Sequence, residues 1–486
     1  MLTESLLLSL TGGILGLLIA LWGIRSIAWL LSDGREGFTM PATLNLPVLG
    51  FTFALAAAAG ILFGLVPALQ ATGANVAPAL KESRIASSRG RSRFSLSRIL
   101  IVTQISISLL LVIAAGLFVR TLSNLHSVTL GFNRENILLF SLNARQAGYK
   151  DAAVARFYEN LAKGFQAIPG VRSAGLSSFP LAAGYWDDED VVIPGAPVIN
   201  GKKPGSCVVI VNEAFLPTMQ IPVLLGRQMQ ARDMDTGKVA IVTQQFAKKF
   251  FPNLSPLGQY VGIGNKVPAD IRIIGVAKNS IYNSVKEKEE ETPPVIYVPY
   301  TENVKALNGI FFELRTNGDP IALAGAVRRV VHEASVSVPV SGFKTQAAQI
   351  DQTIAQERTF ADLCACFALL ALVISCVGLY GTMAYAVARR TSEIGIRVAL
   401  GAERRRIIWM VLREVFTLSA IGLAIGLGAA WETSHFVASF LFGVKPNDPA
   451  AMAISVGVLI AAALTAGYMP AWRASRIDPM VALRHE

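Results

Sequence analysis

The sequence has 486 residues, of which 52% are hydrophobic and only 16% charged, and its mean hydropathy is +0.48. These values exclude an ordinary soluble protein, because one water-soluble core cannot bury so much apolar surface. The net charge of +11 is suited to a nucleic-acid partner or to a membrane surface, and its distribution along the chain decides between them. The four cysteines are too few and too scattered to form a disulfide framework.

Six apolar segments are long enough to cross a lipid bilayer, which takes roughly 20 residues of helix. The uncharged part of the fifth is short, because Glu414 and Glu432 bound it, and we expect it to tilt or to hold its ends among the headgroups. The sequence therefore predicts an α-helical transmembrane protein with about six spans. The segments lie near 5–24, 48–70, 99–119, 363–388, 411–431 and 450–471.

Residues 121–357 differ in character from the spans on either side. Strand-like runs such as ILLFSLNA, IRIIGVAKN, VIYVPY and IFFELRT alternate with amphipathic stretches such as DAAVARFYENLAKGFQAI. Glycine and proline separate these runs, so we predict a large inserted α+β domain made of two α/β subunits. The acidic stretch at 186–190 lacks the alternating ligands and glycine of a Ca²⁺ loop, and we expect a solvated loop there.

The basic residues are concentrated in three short segments beside the spans. Residues 71–98, 389–406 and 471–486 hold fifteen Lys and Arg against five Asp and Glu, which is +10 of the total +11. Because Lys and Arg favour the cytoplasmic side of a membrane, we expect these segments and both termini in the cytoplasm and 121–357 outside. Contact with lipid headgroups then explains the charge, and no nucleic-acid partner is predicted.

Two parts of the chain repeat one another. LTESLLLSLTGGILGLLIA from Leu2 aligns with LREVFTLSAIGLAIGLGAA from Leu412, and GLVPALQATGANVAPALKE from Gly64 aligns with GYMPAWRASRIDPMVALRH from Gly467. This repeat predicts a tandem of two membrane units, of which the first is incomplete. Glycine pairs spaced by four residues allow helices to pack closely, with a hinge as the alternative role. The pairs are Gly12 and Gly16, Gly60 and Gly64, and Gly422 and Gly426.

The stretch RRTSEIGIRVALGAERRR at 389–406 combines charge with small residues between two spans. We predict a short helix that carries Glu393, Arg397, Glu403 and Arg404 and docks in a groove on a partner. The alternative is a simple anchor to lipid headgroups, which the arginines would serve equally well. Glu393 and the small residues have no role in such an anchor, so the docking interpretation is favoured.

Two motifs, EIGIRVALGA and PAWRASRIDPMVALR, resemble the MacB/FtsX-like permeases of ABC transporters. The tandem resembles the duplicated permeases of this family from acidobacteria. The resemblance covers nearly the whole chain, and it implies that the start is an N-terminal truncation of a longer permease. It implies four regions: an incomplete first FtsX-like unit over 1–97, a span over 98–120, a MacB-like periplasmic core domain over 121–357, and a second FtsX-like domain over 358–486.

The resemblance also implies a function. The chain would be a permease subunit of the bacterial inner membrane that relays motion from a cytoplasmic ABC-type ATPase to the periplasmic domain, for export or extrusion. The coupling residues would be Glu393, Gly395, Arg397, Ala399, Gly401, Ala402, Glu403 and Arg404. Further partners would be membrane lipids and either a second permease chain or a missing N-terminal half.

No enzymatic activity is predicted. The sequence contains no Gly-x-x-x-x-Gly-Lys-Ser/Thr phosphate loop, and its four scattered histidines suggest no nucleophile and base pair. We therefore expect no catalytic residue, cofactor or metal site. The alternative function is that of a structural or signalling membrane protein, or of an inactive fragment, without an ATPase.

Overall fold

The computed structural model describes residues 2–31, 47–55, 57–58, 61, 96–184, 188–194, 205–264, 267–287, 292–302, 307, 309–400 and 402–476. The chain divides into two compact units. We call Met1–Thr121 with Glu357–Glu486 the membrane unit, and Leu122–Gln356 the α+β unit.

The helices and strands of the described residues are numbered in chain order. The helices are α1 (Leu2–Leu31), α2 (Leu96–His126), α3 (Ala152–Gln166), α4 (Phe215–Met219), α5 (Ala231–Thr236), α6 (Gln244–Phe250), α7 (Ala324–Ala334), α8 (Gln346–Thr353), α9 (Ala355–Arg389), α10 (Thr391–Ala399), α11 (Arg404–Val437) and α12 (Pro449–Ala474). The strands are β1 (Ile137–Leu142), β2 (Val171–Ser177), β3 (Asp188–Val192), β4 (Gly205–Val211), β5 (Val223–Gly226), β6 (Val239–Thr243), β7 (Tyr260–Ile263), β8 (Ile271–Ala277), β9 (Val295–Pro299), β10 (Ile310–Thr316) and β11 (Val340–Thr345). Residues 47–55 are also helical.

Four helices in the described part of the chain are long and apolar enough to cross a membrane: Ser97–His126, Ala355–Arg389, Arg404–Phe440 and Pro449–Ala474. They contain the third to sixth predicted spans and extend beyond them, because a helix continues into polar sequence once its side chains reach water or headgroups.

The first two predicted spans are described less completely. The first lies in α1, of which Ser9–Arg25 forms a shorter apolar helix. The second, near 48–70, falls largely outside the described residues. The count of six spans therefore stays a prediction.

The membrane helices pack around a shared apolar cluster. Ile105 and Leu109 of α2, Leu379 of α9, Val415 of α11 and Leu459 of α12 all belong to it. Small hydroxyl side chains join the same helices. Ser108 and Ser375 lie 2.8 Å apart between their Oγ atoms, and Ser106 Oγ donates to the carbonyl oxygen of Gly422 at 2.8 Å. Such bonds are favourable in a bilayer because lipid offers no polar partner.

The first half of the α+β unit is an antiparallel sheet in the order β11-β1-β10-β2. Its register pairs Leu139 with Glu313 and Phe140 with Phe312. Helices α3 and α7 are amphipathic, and their apolar faces join the same hydrophobic cluster as the sheet. Phe140, Phe165 and Phe312 form the centre of that cluster, with ring centroids 4.9 to 5.7 Å apart.

The second half is a closed ring of strands. Successive pairings run β3-β4-β9-β6-β8-β7 and return to β3, and β5 pairs with the C-terminal part of β8. Alternate residues of a strand point to opposite faces. Val208 and Ile296 accordingly belong to one apolar cluster, and their neighbours Cys207 and Tyr297 to the cluster of the first half. The ring strands therefore hold the two cores of the unit together.

Two details of this unit differ from the sequence analysis. The prediction of a solvated loop at the acidic stretch 186–190 was wrong in part, because Asp188–Val192 forms strand β3. Pairing with β4 and β7 satisfies its backbone, and its three acidic side chains remain exposed. The central strand β4 was not among the runs identified from the sequence, although its residues SCVVIV are typical of a buried strand.

Candidate functional site

The helix α10 occupies the short connection between the membrane helices α9 and α11. It covers Thr391–Ala399 only, and Leu400 leaves the helical conformation. The prediction that one short helix carries Glu403 and Arg404 as well was wrong. Glu403 adopts an extended conformation as the N-cap of α11, and Arg404 is the first residue of α11. The sequence reason is Gly401, since glycine has one of the lowest helix propensities.

One face of α10 is packed against the ends of two membrane helices. Ile394 is 1% exposed and forms an apolar cluster with Ile407 of α11 and Ala474 of α12. Val398 packs against the same cluster, and Gly395 is also buried. Apolar contacts therefore hold α10 against the membrane helices, in addition to the chain connections that join it to α9 and α11.

The opposite face of α10 is open. Glu393, Arg397 and Ala399 are exposed, and the large apolar side chains of Ile396 and Leu400 are 46% and 82% exposed. Arg397 Nη1 lies 2.9 Å from Met410 Sδ, and Ala402 is partly buried. A contiguous surface of apolar and charged side chains at a helix connection is typical of a protein contact.

An ion-pair network lies at the base of this connection. Glu414 of α11 pairs with Arg98 of α2 at 2.8 Å and with Arg390, which precedes α10, at 3.3 Å. Arg473 of α12 donates to the Tyr380 hydroxyl at 2.9 Å. The sequence analysis treated Glu414 only as a boundary of the fifth span. A signal was present, because the repeat aligns Glu4 with Glu414.

The glycines predicted to pack helices have different surroundings. A Cβ atom on Gly422 would lie 2.9 Å from Ile105 of α2, and one on Gly426 would lie 3.0 Å from Leu109. No described residue lies within 4 Å of such an atom on Gly12 or Gly16. Gly60, Gly64 and Gly401 lie outside the described residues. The packing role of the pairs stays a prediction.

The α+β unit contains a buried polar contact that the sequence analysis did not identify. Ser177 Oγ lies 2.9 Å from the carbonyl oxygen of Phe179 and 2.5 Å from Oε1 of Glu313. A hydroxyl has one hydrogen to donate, so both contacts are satisfied when Glu313 is protonated and donates to Ser177. Complete burial raises the pKa of Glu313 to about 8, which favours this neutral form. Nearby, burial also raises the pKa of the Tyr282 hydroxyl.

The described part of the chain contains no group of three or more His, Cys, Asp or Glu side chains arranged to hold a metal ion.

Two protein-family models match the chain. The MacB-like periplasmic core domain matches residues 99–330, and the FtsX-like permease C-terminal domain matches residues 365–479. The second match contains the whole of α10, α11 and α12.

Several known proteins are similar to parts of this chain. The macrolide export ATP-binding/permease protein MacB of Azoarcus sp. (strain BH72) is 29% identical over 275 residues, which cover 54% of this chain and 40% of the relative. The ABC transporter permease YknZ of Bacillus subtilis (strain 168) is 26% identical over 342 residues, which cover 69% of this chain and 81% of the relative. The crystal structure of the periplasmic region of MacB from Actinobacillus actinomycetemcomitans aligns at 14% identity with a TM-score of 0.32, covering 48% of this chain and 97% of that one. The match to the Azoarcus protein thus spans about two fifths of its length.

Proposed function

The chain belongs to the MacB/FtsX-like family of ABC transporter permeases, and from this premise we propose that it relays ATP-driven motion across a bacterial inner membrane. In this proposal a separate cytoplasmic ABC-type ATPase supplies the motion, and the α+β unit converts it into export or extrusion on the other side. Relatives such as the Azoarcus protein are named macrolide export ATP-binding/permease proteins. A name that joins ATP binding to a permease supports an ATPase as the partner of this chain.

The observation that carries the proposal is the packing of α10 against two membrane helices. Ile394 is buried against Ile407 of α11 and Ala474 of α12, so a force on α10 acts directly on the ends of these helices. Its open face offers Glu393 and Arg397 to a partner beside exposed Ile396 and Leu400. A rigid element of this kind transmits a displacement instead of absorbing it.

The orientation and the domain limits are part of the same proposal. The basic segments, including 389–406, lie in the cytoplasm with both termini, and residues 121–357 lie in the periplasm. Residues 1–97 and 358–486 provide repeated FtsX-like membrane units, and 98–120 provides a span before the periplasmic core domain. The four spans of the described residues and the match to a periplasmic core domain model support this arrangement.

The test is stimulation of an ATPase that co-purifies with the full chain, after both are reconstituted into membranes. Glu393→Lys reverses the charge on the open face of α10, and we expect at least about a tenfold loss of stimulation, because like charges at an interface cost several kcal/mol. Glu432→Lys makes the same change on an exposed carboxylate at the far end of α11 and should retain stimulation.

A second variant tests the packing of α10. Ile394→Asp places a charge in the apolar cluster under the helix, and stimulation should again be lost while the protein still inserts into the membrane. Wild-type stimulation in both Glu393→Lys and Ile394→Asp would leave only an anchoring role for the segment. Failure to recover any ATPase with the chain would favour a structural or signalling protein.

A further inference from the structure

A groove lies between α2 and α11 at the end of the membrane unit that carries α10. Its volume is about 600 Å³, and its walls come from the first two turns of α2 and from one face of α11. Six apolar side chains line these walls, and three of them are about half exposed on the outside of the helices: Ile99, Ile421 and Ile425. The groove is therefore open to the surrounding bilayer.

The charged groups of the groove are confined to one end. Arg98, Arg413 and Glu414 lie there, and the walls beyond them carry two threonines and are apolar toward Ile421 and Ile425. On α11 the distance from Arg413 to Ile425 is twelve residues, or about 18 Å at roughly 1.5 Å per residue. This length is close to the depth of one leaflet, since the hydrocarbon of a whole bilayer is about 30 Å thick. The groove has the dimensions of a lipid with its headgroup at the charged end.

The charge at that end is positive. Glu414 is the carboxylate of the network, and it is shared between Arg98 and Arg390. Arg413 lines the same groove, is exposed, and forms no ion pair with any residue that the structure describes. In the groove itself the guanidinium groups of Arg98 and Arg413 thus lie with one carboxylate, which leaves a net charge of about +1. A second apolar helix in the groove would leave Arg413 without a counter-charge, whereas a phosphate supplies one and accepts two parallel hydrogen bonds from a guanidinium.

From this arrangement we propose that the groove binds an anionic glycerophospholipid, with its phosphate on Arg413 beside Arg98 and an acyl chain along Ile421 and Ile425. Basic pockets between membrane helices bind anionic headgroups in the same manner. Because the groove borders Glu414, which also pairs with Arg390 before α10, the bound lipid would contact the network at the base of the proposed coupling helix. The lipid site itself does not depend on the proposed function, since it requires no ATPase.

The experiment counts bound lipids by native mass spectrometry of the full chain in detergent with phosphatidylglycerol or phosphatidylcholine at equal mole fraction. The wild-type chain should retain phosphatidylglycerol in preference to phosphatidylcholine. Arg413→Gln should lower the retention of phosphatidylglycerol about fivefold, since one basic residue near an anionic headgroup contributes that much. Glycerol 3-phosphate, which carries the headgroup chemistry without the chains, should not displace the lipid.

The matched control is Arg405→Gln, which removes the same charge from the same helix at a position outside the groove. It should retain the preference of the wild-type chain. Equal loss in Arg405→Gln and Arg413→Gln would overturn the proposal, because it would show attraction to diffuse charge instead of a site. Equal retention of the two lipids by the wild-type chain would also overturn it.

A second pair of variants tests the path of the acyl chain. Ile421→Trp fills the groove and should reduce retention of phosphatidylglycerol, whereas Ile454→Trp, at an exposed position of α12 outside the groove, should not. Unchanged retention in Ile421→Trp would contradict the placement. Disulfide-linked dimers of Ile421→Cys that form equally with and without phosphatidylglycerol, and that the wild-type chain does not form, would show instead that a second copy occupies the groove.

Discussion

The two units of this protein differ in where most of their large and small side chains lie. In the α+β unit, large residues such as Tyr158, Phe140 and Phe312 are completely enclosed. In the membrane unit, large residues such as Leu370, Val377 and Ile454 are exposed on the helix surfaces, and small residues such as Gly422 and Ser455 occupy the contacts between helices. The two arrangements follow from the surrounding medium.

Water drives large apolar side chains into a core, whereas lipid solvates them as well as a core does. Membrane helices are therefore held in part by close backbone approach and by hydrogen bonds of serine hydroxyls, which Ser106 makes to the carbonyl oxygen of Gly422 and Ser108 makes to the hydroxyl of Ser375. The same substitution should therefore have different consequences in the two units.

The largest effect is expected for Phe312→Ala in the α+β unit. Phe312 is fully buried between Phe140 and Phe165, and its removal should cost about 3–5 kcal/mol through lost burial and a cavity. Phe367→Ala removes the same side chain from an exposed position of α9, on the outer surface of a helix that is long and apolar enough to cross a membrane. Urea unfolding of the full chain, followed by protease cleavage, should show the loss only in the first variant. Equal losses would contradict the comparison.

The next effect concerns the pH dependence of the α+β unit. The folded pKa of Glu313 is raised from its ordinary 4.5 to about 8, so the folded state holds one proton more than the unfolded state between these values. Stability is then fully present below about pH 4.5 and falls as the pH rises toward 8, by at most about 1.4 kcal/mol per pH unit from this group. The Tyr282 hydroxyl nearby stays neutral in this range, because burial raises its pKa further.

Glu313→Gln should remove this dependence. The glutamine amide can donate to Ser177 as the protonated acid does, so the folded state keeps its contact at every pH. Unfolding measured between pH 5 and pH 8 should show a smaller slope for Glu313→Gln than for the wild-type chain. Glu333→Gln, at an exposed position of α7, is the control and should keep the wild-type slope. An unchanged slope in Glu313→Gln would show that the carboxylate is already ionised in the folded protein.

Local patterns predicted much of the fold. The run IFFELRT coincides with β10, and IRIIGVAKN and VIYVPY begin where β8 and β9 begin, because a short apolar run between turn residues is typical of a buried strand. Strand β3 was missed because acidic residues have low strand propensity, and its pairing with β4 supplies the stabilisation that the local sequence lacks.

The candidate site was predictable in position but not in its contacts. The composition of residues 389–406 identified the connection that carries α10, but the repeat and the charges could not show where α10 ends. The pair of Arg98 and Glu414 joins residues 316 positions apart, and no spacing rule reaches that far. Glu313 alternates with the apolar residues Phe312 and Leu314 in β10, and in a sheet with one face exposed to solvent this alternation would place Glu313 on the exposed face. Its burial follows from the covering of both faces of the sheet, which is a tertiary property.

The smallest of these effects is expected for Gly422→Ala, and it examines the membrane side of the comparison. The added methyl group would lie 2.9 Å from Ile105 and 3.1 Å from the carbonyl oxygen of Val102, so α2 and α11 would have to separate slightly. Overpacking of this kind costs about 1–3 kcal/mol.

Gly428→Ala is the matched control on the same helix, since no described atom lies within 4 Å of its added methyl group. It should be neutral or slightly stabilising, because alanine favours a helix over glycine. Unfolding of the two variants in mixed micelles of increasing SDS fraction would measure the difference. A loss in Gly428→Ala equal to that in Gly422→Ala would show that helix flexibility, and not close packing against α2, is what these glycines provide.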